Sequence, residues 1–139
     1  MNKSYFLLAL AGLLALVPII NLLWVWPQLP AEVPIHFDTA GEADRMGDPA
    51  TLWVLAASPL LTLVFLVVLP LIDPKKQLSA LSPNFQKLVL VIMASTGGFS
   101  LLFTRAAQAG HVDTRWVLLM LCGMWVLLGN YLGTVPPNY

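Results

Sequence analysis

Four long apolar segments dictate most of what this chain can become. They run from Tyr5 to Trp26, from Leu52 to Ile72, from Leu88 to Phe103 and from Trp116 to Leu132. A helix rises about 1.5 Å per residue, so about 20 apolar residues cross the roughly 30 Å of bilayer hydrocarbon. The first two segments meet that length outright. The third is shorter and needs Phe85 and a snorkelling Lys87 to extend it. The fourth carries Gly123, Gly129 and Asn130 and has the weakest claim to a full span. Only 10% of residues are charged, against about a quarter in soluble domains. The expectation is an all-α membrane protein in one domain, residues 1–139. It is a four-transmembrane-helix bundle with helices at about 5–26, 52–72, 86–104 and 116–132 and an ordered extracytoplasmic loop over 27–51.

The formal net charge is zero, so a nucleic-acid partner has no electrostatic basis. Cys122 is alone, which excludes a disulfide within the chain and any CxxC metal motif. It reads as a small buried residue packed between helices. Lys3 before an apolar run resembles a signal peptide, but the run is too long for an h-region and Pro27 and Pro30 follow it. A retained signal anchor is the better reading. With the N-terminus in the cytoplasm, Lys3, Lys75, Lys76 and Lys87 lie inside, and Arg45, Arg105 and Arg115 lie outside. That margin favours cytoplasmic termini in a multi-pass protein of the bacterial cytoplasmic membrane. Tryptophans 24, 26, 53 and 116 fall near expected helix ends, where an interfacial belt requires them.

Within the spans, Pro18, Pro59 and Pro70 each remove a backbone donor. Ser95, Thr96, Gly97, Gly98 and Ser100 form a small, weakly polar patch. Ala94 and Gly98 make a small-xxx-small pair suited to close helix contact. No carboxylate sits deep in a span, which weighs against an ion-coupled transporter.

The polar chemistry gathers instead in VPIHFDTAGEADRMGDP, residues 33–49. Five of the seven acidic residues lie between Glu32 and Asp48. Val33, Ile35 and Phe37 alternate with Pro34 and His36, the period of a half-buried strand. Gly41 and Gly47 mark turns, and Asp48-Pro49 can start the second helix. On a strand His36 and Asp38 project to one side, so Asp38 is the expected carboxylate partner of the imidazole. The run lacks the acidic spacing of an EF-hand, and one histidine with scattered carboxylates makes a poor zinc set. No metal or cofactor is expected.

Residues 29–48, LPAEVPIHFDTAGEADRMGD, resemble the signature of a family of small bacterial membrane proteins with an N-terminal domain of unknown function. That family is linked to the SdpI-type immunity proteins, which protect a producing cell from a secreted sporulation-delaying toxin. IDPKKQLSALSPNFQK resembles its connection between the second and third helices. GNYLGTVPPNY, residues 129–139, resembles the start of its second signature. Longer members continue past Asn-Tyr into further helices, so the chain reads as a short form or a truncated one. The resemblance implies an immunity or sensing protein that binds a secreted peptide. Glu32, His36, Phe37, Asp38, Gly41, Asp44, Asn130 and Tyr131 are the candidate ligand- or partner-binding residues.

A structural accessory subunit of a larger membrane complex is the alternative. An enzyme is disfavoured: Ser58, Ser95 and Thr96 are nucleophiles only in principle, without a GxSxG context. AGHVDTRW, with His111, Asp113 and Arg115, reads as a polar connector. No catalytic residue is assigned, and the lipid bilayer is the one partner the composition requires.

Overall fold

The computed structural model describes residues 3–72, 79 and 82–133, with side chains from Phe6 onward. Lys75 and Lys76, central to the orientation argument, and residues 134–139 of the C-terminal motif lie outside the described residues. The chain is a four-helix membrane bundle: α1 (Lys3–Val25), α2 (Thr51–Ile72), α3 (Pro83–Ala109) and α4 (Thr114–Leu132). All four are long and apolar enough to cross a membrane. Between α1 and α2 a 3-10 turn, Trp26–Gln28, leads into an antiparallel hairpin of β1 (Val33–Phe37) and β2 (Ala43–Gly47).

Local chemistry sets the helix ends. The Asp48 carboxylate accepts from Ala50 N at 2.7 Å just before α2. Ser82 caps α3 by accepting from Phe85 N, with Pro83 in the first helical position, where a missing N–H does no harm. Asp113 caps α4 through Arg115 N at 2.9 Å. The third helix, expected to be the short one, has 27 residues. Its polar ends stay helical because Ser82 starts it and Gly110, at φ 80°, closes it with a left-handed cap.

The prolines are accommodated individually. Pro59 cannot donate to the carbonyl of Leu55, and the Ser58 hydroxyl donates to that oxygen at 2.8 Å instead. Ser95 and Thr96 likewise donate to Val91 O and Ile92 O, each at 2.8 Å, so these hydroxyls serve their own helix.

Packing is uneven. The contact of α1 with α3 is the most extensive, α2 packs on both, and α4 packs at length on α3 alone. The close approach sits at Gly97, which is buried, where an added Cβ would lie 3.4 Å from Leu14 O and 3.8 Å from Pro18 Cγ on α1. Ala94, expected to share that role with Gly98, is exposed. Gly98 instead faces the end of the Met120 side chain on α4. One buried cluster joins Ala11, Ala15, Leu66, Phe85, Val89 and Met93, and a second, nearer the hairpin, joins Leu22, Val25, Val33, Leu52, Ala56 and Ala107. No residue of α4 is buried, so Cys122 is exposed rather than packed between helices.

Candidate functional site

The hairpin is fastened to the bundle at three places. Val33, fully buried, enters the second core cluster. The ring of Phe37 stands 6.1 Å from that of Phe103 on α3. The third fastening is backbone: Val112 N donates to Gly41 O at 2.8 Å, and Glu42 bridges His111 in antiparallel fashion. The α3–α4 connector thus acts as a short third strand along the hairpin tip.

Gly41 is required by that arrangement. Its φ is 89°, and a Cβ there would collide with the carbonyl oxygen of Val112. Asp38 builds the turn before it. Its Oδ1 accepts from Ala40 N at 2.8 Å and from Glu42 N at 2.9 Å, while its carbonyl accepts from Gly41 N. An Asp opening a turn and a Gly closing it is the chemistry such a loop demands.

The simple alternation expected over residues 33–37 is interrupted. Cα pairing steps from Pro34↔Met46 to His36↔Arg45 and then to Phe37↔Ala43. Ile35 is therefore an extra residue on β1 and Asp44 an extra one on β2, two compensating bulges that re-aim their neighbours. The result corrects the expected pairing. His36 Nδ1 meets Asp44 Oδ1 at 2.6 Å, and Asp38 is committed to the turn. Both members of the pair are about half exposed, at 59% and 47%. Such an exposed pair adds only about 0–1 kcal/mol to stability.

Beneath the hairpin lies a cavity of about 490 Å³ lined by Pro34–Asp38 of the hairpin, Thr51, Leu52 and Leu55 of α2, Phe103 of α3, and Val112, Thr114 and Val117 of the connector and α4. Its walls are mostly apolar, with His36 and Asp38 as the only ionisable groups. That size falls in the range of small-ligand sites, about 300–1,000 Å³. Along the connector a polar crevice is formed by Ala40, Glu42 and His111–Arg115. Among the described residues no group of three or more His, Cys, Asp or Glu could hold a metal ion.

Of the residues singled out in the sequence, His36, Phe37 and Asp38 line the cavity, while Asp44 and Gly41 hold the hairpin that roofs it. Glu32 is exposed just ahead of β1 and adds charge alone. Asn130 and Tyr131 are not brought to this site. They lie 16 and 17 residues along α4 from Thr114, about 24 Å towards the other end of the bundle. The cavity walls Leu52, Leu55, Phe103, Val112 and Val117 carried no local signal, because they are ordinary apolar residues that converge only in three dimensions.

Four membrane-crossing helices closed at one end by a docked hairpin define a small multi-pass membrane protein. Residues 13–63, from the second half of α1 through the hairpin into α2, match the family described as Domain of unknown function (DUF1648). No curated protein and no solved structure matches the chain.

Proposed function

We propose that this is a binding protein of the bacterial cytoplasmic membrane, with the hairpin outside, that recognises a secreted amphipathic peptide and acts by binding rather than catalysis. The supporting observation is the apolar cavity roofed by the one polar hairpin of the described chain. A preformed apolar cavity with a few convergent polar groups is the usual form of a ligand site. Loops held by a rigid scaffold are where recognition concentrates. The immunity or sensing role implied by the sequence resemblance fits this arrangement, since the hairpin is the resembling segment.

The cavity gives the test. Leu55→Trp and Val117→Trp fill it from α2 and α4 without touching the hairpin's hydrogen bonds. In cells challenged with the secreted toxin, both variants lose protection by at least about tenfold in toxin dose, a loss of about 1.4 kcal/mol of binding. His36→Ala and Asp44→Asn weaken protection more mildly while membrane levels hold. Full protection by the filled variants would sink the reading.

A second reading, an accessory subunit of a larger complex, is favoured by α4, which buries nothing and exposes Trp116, Leu119, Trp125 and Val126. Under the binding reading, mild-detergent extraction of the tagged protein recovers no stoichiometric partner. Recovery of a large complex at constant stoichiometry would make α4 a docking helix instead.

A further inference from the structure

We infer that the ligand of this cavity is a cationic amphipathic peptide lying in the membrane interface, which inserts an apolar side chain between α2 and α4. The inference rests on the binding reading above and adds the ligand's charge and its direction of approach.

Direction follows from packing. Helices α2 and α4 both line the cavity, yet they share no extended contact with each other. Phe103 of α3 and the hairpin supply the other walls. The remaining side is the gap between α2 and α4. Leu55 lies four residues into α2 and Val117 three into α4, so the gap is only about 6 Å below the helix ends. Trp53 and Trp116 lie two residues into the same helices, about 3 Å in and within one turn of the gap, at the level where amphipathic rings and peptides settle. An occupant already dissolved in the interface reaches the cavity sideways, with its polar face towards the hairpin.

Charge follows from the hairpin. The segment from Glu32 to Asp48 carries five carboxylates and the single Arg45, Arg115 of α4 shares a crevice with Glu42, and Asp38 stands at the cavity itself. Asp44 lies within β2, and the others flank the two strands, Glu32 and Asp48 at one end and Asp38 and Glu42 at the other, ends about 17 Å apart. One ammonium head cannot match that spread, whereas a peptide with repeated lysines can. Opposite charge would also raise its local concentration before the side chain enters.

The test uses the whole protein in nanodiscs of zwitterionic lipid and two synthetic 18-residue amphipathic helices, one of leucine and lysine, the other of leucine and glutamate. Saturable binding is read as the excess over empty nanodiscs. The leucine–lysine peptide is expected to bind at least tenfold more tightly than its acidic counterpart. Asp38→Asn keeps a turn-building oxygen but removes a charge, and weakens that binding about fivefold, the effect of one contact between partly exposed charges. Glu32→Gln, which alters no hairpin contact, weakens it less but measurably. Leu55→Trp abolishes it. Equal binding of both peptides, with loss in Leu55→Trp, would overturn the charge assignment and leave the cavity reading standing. No saturable excess for either peptide, or binding indifferent to Leu55→Trp, would overturn both.

Discussion

Gly41→Val is expected to release the hairpin tip from the α3–α4 connector while leaving the four helices inserted. Two separate penalties meet at this residue. A β-branched side chain at φ 89° is strained, by about 1–3 kcal/mol. The new Cβ also drives into the Val112 carbonyl, which is backbone and cannot rotate away. The Val112 N–H bond to Gly41 O and the Glu42–His111 bridge cannot survive that displacement together. The measurement is oxidative crosslinking of Glu42→Cys with His111→Cys in a chain carrying Cys122→Ser. Crosslinking is efficient when Gly41 is retained and falls by an order of magnitude in Gly41→Val. Gly110→Ala serves as the control. Gly110 also has positive φ, but no atom lies within 4 Å of a Cβ placed there, so its cost is about 1 kcal/mol and the crosslink persists. Equal crosslinking in Gly41→Val would show that the tip contact survives the substitution and that Gly41 is not required for it.

The contrast between these two glycines shows where sequence reading stops. Both stand in polar connectors and both invite a turn. Only Gly41 is covered by another segment, and that segment is about seventy residues further along the chain (112 against 41). The membrane helices were legible because hydropathy over about 20 residues is a local property. The strand at Val33–Phe37 was legible for the same reason. Its partner β2 was not, since ADRMG has no apolar alternation and is held by cross-strand pairing alone. The His36–Asp44 pair depends on two bulges, and a bulge shifts every later neighbour by one position. Proximity in the sequence therefore points to Asp38, whose carboxylate the turn occupies.

Helix faces were hidden for a related reason. In an apolar segment of a membrane chain, lipid-facing and protein-facing residues have the same composition, so periodicity carries little information. Cys122 illustrates this: a residue type that is usually buried sits on α4, which buries nothing. Composition marks the small patch on α3, but the small-xxx-small spacing points to Gly98 with Ala94, one position from the face that packs on α1.

That one-position difference predicts a large effect at Gly97. Its hypothetical Cβ is 3.4 Å from Leu14 O and 3.8 Å from Pro18 Cγ, which is ordinary contact distance. Gly97→Ala should therefore fit the seam and alter stability little. Gly97→Leu extends two carbons further into a backbone carbonyl and a proline ring, neither of which can change rotamer. Overpacking of this kind costs about 1–3 kcal/mol in soluble cores. The cost here should reach the upper end, because α1 and α3 share the bundle's most extensive contact. At Gly98 the opposing group is the terminal methyl of Met120, a flexible side chain, so Gly98→Leu should be absorbed more easily. Denaturation in mixed micelles with increasing SDS checks the order. The expected midpoints run Gly97→Leu well below Gly98→Leu, with Gly97→Ala near the parent. If Gly98→Leu were the more damaging, the α3–α4 contact rather than the α1–α3 seam would be holding the bundle together.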